Sequence, residues 1–154
     1  MIVHINIGSN KGNRMSNIDR AVSFISEIGV VSAVSSPVVS VPWGYASNSE
    51  YINIGVNLDV DLSPSDLLAA LKRIEREIAP DESHRTADGE YADRTIDLDL
   101  IAYGTETADA PELTLPHPRM SERKFVLEPM AEIMPQWRHP ENGLTPSEML
   151  EKIQ

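Results

Sequence analysis

Two aspartates separated by one leucine, Asp97-Leu98-Asp99, are the sharpest chemical feature of the sequence. In an extended strand such side chains point the same way, roughly 6.5 Å apart along the chain. Buried together as anions they would cost several kcal/mol each without compensation. Arginines, protonation or a divalent metal would supply it. The chain has no cysteine, so a metal held here would be a hard cation bound by oxygen, such as Mg2+. Two such ions about 3.5 to 4 Å apart form the usual clamp for in-line attack at phosphorus. A solvated sheet face is the plainer reading, and spacing alone does not choose between them.

The surroundings favour the metal. Arg94 directly precedes the segment, Arg85 lies upstream, and His117, Arg119, Arg123 and Lys124 follow. Guanidinium forks suit polyphosphate oxygens. Arg119 and Arg123 are four residues apart and would share a face if a helix began that early. Simpler roles exist for each: Arg94 pairing with Asp97, Lys124 as a solvated charge, His117 anchoring a loop between two prolines. Tyr51 and Asn53 lie on the polar side of an alternating strand, where a ring and a primary amide could read a flat heterocycle. An edge tyrosine packing on its neighbours is the alternative.

The 154 residues include 13 Lys plus Arg and 24 Asp plus Glu, a net charge of −11. That field repels polyanions and anionic membrane surfaces, so any bound anion must be gripped locally. The expected partners are small molecules, with no nucleic acid and no membrane, and the expected state is a monomer. The N-terminal run lacks the features of a signal peptide, and no segment reaches 18 apolar residues, so the expected compartment is the cytoplasm. The length fits one domain over 1–154, burying roughly 68 to 70% of its unfolded surface.

Elements must position these groups. Val3 to Ile7 alternates as a strand and stops at Gly8-Ser9-Asn10. A helix follows, with Ser16 as N-cap, Ile18, Ala21, Val22, Ile25 and Ile28 as its stripe and Gly29 as its stop. Val30 to Val41 reads as a bulged or edge strand containing Pro37. Tyr51 to Asp61 alternates cleanly, with Ile52, Ile54, Val56, Leu58 and Val60 on one face. Ser63-Pro64-Ser65-Asp66 caps a second helix bearing Leu67, Leu68, Leu71, Ile74 and Ile78. Ala79 to Asp93 reads as a long flexible loop. Thr95 to Tyr103 places Ile96, Leu98, Leu100 and Ala102 opposite Thr95, Asp97, Asp99 and Ile101. The order βαββαβ predicts an α+β fold with a ferredoxin-like core. A short strand at Leu113 to Leu115, a helix from Ser121 to Met134 limited by Pro129, and a last helix capped at Thr145 complete it.

Together the motifs resemble those of the 6-hydroxymethyl-7,8-dihydropterin pyrophosphokinase family, folate-pathway enzymes that pass a diphosphate from ATP to a pterin alcohol. The matching segments are Ile7-Gly8-Ser9-Asn10, Ser40-Val41-Pro42-Trp43-Gly44-Tyr45, Tyr51-Ile52-Asn53, Arg94 to Leu100, and Leu115 to Leu127. The resemblance implies that Asp97 and Asp99 bind two Mg2+ ions and form, with Arg94, the catalytic group. It implies ATP contacts from Arg85, Arg94, His117, Arg123 and the backbone of Leu100. Tyr51 and Phe125 would sandwich the pterin, with Ser40, Asn53 and the backbone near Trp43 at its edge. Departures fall near the loop: Ala79-Pro80 where the family often has Gly-Arg, Tyr91-Ala92-Asp93 where it has Trp-Gly-Pro, and one arginine, Arg85, where some members have two. Ser40 replaces a more usual Thr and keeps the hydroxyl. The rivals are a metabolite-binding regulatory domain, which would bind without metal, and a Mg2+-dependent transferase acting on another alcohol.

Overall fold

The computed structural model describes residues 1–40, 50–82 and 93–153, so Trp43 and Arg85 lie outside the described residues. The elements are β1 (Ile2–Ser9), α1 (Arg14–Ile25), β2 (Val30–Val34), β3 (Val38–Ser40), β4 (Tyr51–Asp59), α2 (Pro64–Ile78) and β5 (Asp97–Tyr103). A hairpin of β6 (Ala108–Ala110) and β7 (Leu113–Leu115), a 3-10 turn (Met120–Glu122), α3 (Lys124–Ile133) and α4 (Pro146–Ile153) follow. The sheet is antiparallel in the order β2-β4-β1-β5, with β3 also paired to β4. With β2 and β3 taken as one interrupted strand, this is the expected ferredoxin-like core.

Alternation makes the sheet two-faced. Val3, Ile5 and Ile7, then Ile54, Val56 and Leu58, then Leu98 and Leu100 are buried in one cluster with the apolar stripes of α1 and α2. Ser63 Oγ accepts from the Asp66 N–H at 3.2 Å and Pro64 opens α2, as its sequence demands. Thr145 and Glu148 cap α4 reciprocally, each side chain accepting from the other's backbone N–H at 3.2 and 2.9 Å.

Some local expectations are corrected. Asn13, not Ser16, caps α1, its Oδ1 accepting from Ser16 N at 3.1 Å. That helix ends at Ile25 rather than Gly29. Gly29 instead permits a close approach to β4, where a Cβ would lie 2.6 Å from the Asp59 carbonyl oxygen. In β5, Ile5 pairs with Leu100 but His4 with Ala102, so Ile101 is the extra residue of a bulge. Ala102 therefore leaves the face of Leu98 and Leu100, and Tyr103 joins it. The helix expected from Ser121 is a 3-10 turn followed by α3, so Arg119 and Arg123 share no α-helical face.

α3 covers one half of the sheet's polar face. There the fully buried His4 lies with Nδ1 2.9 Å from Asn57 Oδ1, while Asn57 Nδ2 donates to the Ile133 carbonyl at 3.0 Å. The amide is thereby oriented with its oxygen as acceptor, so His4 Nδ1 carries the donating proton. A Cβ on Gly55 would stand 2.6 Å from the imidazole. Burial pushes His4 down from 6.5 to about 4, against a smaller upward pull from Asn57. A folded-state pKa below the unfolded value gives stability that is present above pH 6.5 and lost as pH falls through about 4. Over that window the contribution is about 3 kcal/mol. Urea unfolding from pH 7 to 4 should therefore show wild-type stability falling more steeply than that of His4→Gln, and parallel profiles would contradict it.

Candidate active site

The other half of the polar face is left open by α3 and forms a cleft of about 950 Å³. Across its floor Asn53 on β4, Gly8 on β1 and Asp97 on β5 stand in register. Neighbouring strands are about 4.8 Å apart, so Asn53 and Asp97 are separated by about 10 Å, with no side chain on Gly8 between them. Asn6 and Asp99 occupy a second row on the same face.

One set of lining residues, Ser40, Tyr51, Asn53 and Phe125, suits a flat, hydrogen-bonding ring. Asn53 Nδ2 donates to Ser40 Oγ at 2.9 Å, which fixes the amide and leaves the hydroxyl proton to point elsewhere. Phe125 enters from the first turn of α3, and the Arg123 guanidinium lies 5.5 Å from its ring centroid.

A second set of lining residues is cationic: Arg94, His117, Arg119, Arg123 and Lys124. Arg94 is buried, and its backbone is clamped by Asn10, whose N–H donates to the Arg94 carbonyl at 3.0 Å and whose Oδ1 accepts from Arg94 N at 2.8 Å. Asn10 Nδ2 also donates to Asp93 Oδ1 at 2.8 Å. Its sequence position suggested a plain turn, whereas the structure makes it the clamp of the Arg94 backbone. His117 N donates to the Ile101 carbonyl at 2.8 Å, and its Nδ1 accepts from Arg119 N at 3.2 Å. That acceptor role puts the proton of the neutral ring on Nε2.

Asp97 and Asp99 line the same cleft. Glu75, reaching from α2, accepts from the Leu98 N–H at 2.8 Å. Burial first, then the charge of Asp97, pushes Glu75 up to about 8. Local negative charge is therefore already costly before any anionic ligand arrives. Among the described residues no group of three or more His, Asp or Glu forms a ready cage. Two strand carboxylates with room for water and phosphate oxygens fit Mg2+, which is usually held by one or two carboxylates plus substrate.

The structure thus brings Asp97, Asp99, Arg94, His117, Arg123, Ser40, Tyr51, Asn53 and Phe125 to one cleft. Leu100 is elsewhere: its side chain is buried in the helix-side core, leaving only backbone for the expected contact. Sequence reasoning missed Asn6, Glu75 and Ile153. Ile153 closes one side of the cleft from α4. Its apolar character in a capped helix was visible, but its packing partner was not.

Comparison with known proteins points to one family. The family model described as 7,8-dihydro-6-hydroxymethylpterin-pyrophosphokinase matches residues 4–135. A 2-amino-4-hydroxy-6-hydroxymethyldihydropteridine pyrophosphokinase of Porphyromonas gingivalis is 35% identical over 91% of this chain and 95% of its own. The enzyme of that name from Bacillus subtilis is 36% identical over 88% of this chain and 79% of its own. The crystal structure of Plasmodium falciparum HPPK-DHPS A437G with SDX-DHP superposes with a TM-score of 0.77 at 14% identity, over 98% of this chain and 45% of that one. That likeness supports the fold, and this chain spans less than half the length of that protein. No helix among the described residues is long and apolar enough to cross a membrane. With the family match covering every cleft-lining strand and the helix that carries Phe125, the chain belongs to the 7,8-dihydro-6-hydroxymethylpterin-pyrophosphokinase family.

Proposed function

We propose that this chain transfers the diphosphate of ATP to the hydroxymethyl oxygen of 6-hydroxymethyl-7,8-dihydropterin, giving AMP and the pterin diphosphate of folate biosynthesis. The observation that supports the reading is a single cleft whose lining combines the carboxylate pair, Tyr51, Asn53 and Phe125, and the basic side chains of Arg94, His117 and Arg123. In the reaction the alcohol oxygen gives up its proton to solvent and forms a bond to the β-phosphorus while the bond from that phosphorus to the oxygen bridging to the α-phosphate breaks, and AMP leaves. The chain's task is positioning and charge neutralisation, since phosphoryl transfer asks little covalent chemistry of a protein.

Tyr51 and Phe125 hold the ring from its faces, and Ser40 and Asn53 read its edge. Arg94, His117 and Arg123 grip the triphosphate as charge-assisted donors. Asp97 and Asp99 would hold two Mg2+ ions, which supply further charge neutralisation and an in-line template. The proposal takes the working unit to be a cytoplasmic monomer formed by one domain over 1–154.

Asp97→Ala should lower turnover on the order of 10³-fold, measured as pterin-dependent AMP formation with ATP and Mg2+, while the variant still unfolds cooperatively. Near-normal AMP release from that variant would remove the metal role. Gly8 generates a second expectation, because a Cβ there would lie 2.8 Å from Asn53 Oδ1 and 3.4 Å from Tyr51 Cδ1. Gly8→Ala should raise the KM for pterin by about 10-fold or more through displacement of those two groups. An unchanged pterin KM would place the ring elsewhere.

A further inference from the structure

Pro129 lies inside α3. It has no N–H, so the Phe125 carbonyl four residues earlier has no α-helical donor, and the pyrrolidine ring crowds that carbonyl away from the axis. A partly buried carbonyl without its helical donor takes its hydrogen bond from elsewhere. It finds it across the molecule: Asn6 Nδ2 donates to the Phe125 oxygen at 3.0 Å. A carbonyl can only accept, so the orientation of the Asn6 amide is fixed by its partner. Asn6 is 3% exposed, pairs with Gly55 on β4 and Asp99 on β5, and belongs to the cleft floor. An amide on the sheet thus replaces the donor that the helix lacks, at the residue whose ring enters the cleft.

From this we infer that Asn6 is a positioning residue for Phe125, fixing the first turn of α3 and with it the Phe125 ring. The inference rests on the reading of Phe125 as one wall of the pterin site. Without the Asn6 amide the Phe125 carbonyl must turn toward water in the cleft, and the first turn that carries the ring turns with it. The loss falls on capture of the heterocycle rather than on the gripping of the triphosphate by Arg94 and His117, which sit on other segments.

The test is a double-mutant cycle in the full chain, with steady-state kinetics at saturating ATP and Mg2+. Asn6→Ala should raise the KM for hydroxymethyl dihydropterin about 10-fold while kcat changes less than about 3-fold. Pro129→Ala restores the helical N–H to the Phe125 carbonyl and should leave both constants near wild type. In the Asn6→Ala/Pro129→Ala chain the pterin KM should return toward the Pro129→Ala value. A merely structural role for Asn6 would reduce the folded fraction and kcat, leave KM in place and gain nothing from Pro129→Ala. An unchanged KM in Asn6→Ala, or an equal rise with and without Pro129, overturns the inference. Should Asn6→Ala fail to fold, Asn6→Leu, of similar volume but without a donor, enters the same cycle. A wild-type chain that forms no AMP with this pterin overturns the functional reading, and the inference falls with it.

Discussion

Buried amide groups are tolerated only when their hydrogen bonds are made, and β1 and β4 place three of them, Asn6, Asn53 and Asn57, beside His4 on the face away from α1 and α2. α3 satisfies two of the three. Asn6 takes the Phe125 carbonyl near its start and Asn57 takes the Ile133 carbonyl near its end. Two side chains on the sheet therefore grip both ends of one helix. The lateral position of α3 follows from that grip, and so does the border between covered face and open cleft. Asn53, beyond the helix, bonds to Ser40 instead and is left facing the ligand space.

The same polar face carries the electrostatic argument. A chain of net charge −11 has no general attraction for a triphosphate. Its attraction is built locally, by bringing Arg94, His117, Arg119 and Arg123 from two separate segments to one rim. The carboxylates of Asp97 and Asp99 oppose that attraction until cations join them. Burial first, and then the charge of Asp97, raise the affinity of Glu75 for its proton, which keeps a third negative charge from that place. Metal and nucleotide are thus expected to help one another bind.

What could be read from the sequence was set by short-range physics. The alternation of β4 and the caps of α2 and α4 depend on neighbours in the chain, and they emerged with the right faces. The paired aspartates emerged for the same reason, because a strand fixes their common direction. Asn13 displaced Ser16 as a cap because both offer an acceptor and only the path of the turn after β1 decides between them. Pro129 looked like a limit on its helix, yet the helix runs through it, because the missing donor is supplied by a residue 119 positions away. Glu75 carries no local signal in the sequence, and only the docking of α2 beside β5 brings it to Leu98. Asn10 was read as a turn residue because its bonds to Asp93 and Arg94 cross more than 80 positions.

The bulge at Ile101 shows how a fold irregularity and the site can be one device. A regular β5 would send Leu98, Leu100 and Ala102 to the helix-side core and leave Tyr103 on the opposite face. The extra residue reverses the last two, so Ile101 and Ala102 join the cluster of Met120, Leu127 and Met130 while Tyr103 returns to the first core and donates to the Leu62 carbonyl at 2.7 Å. One strand thereby serves both cores. The carbonyl of the inserted Ile101 is the group that accepts from His117 N. The segment carrying His117 and Arg119 is thus tied to the strand only two residues beyond Asp99. A regular strand would put a different carbonyl at that place, so the spacing between the carboxylates and the basic rim is set by the bulge itself.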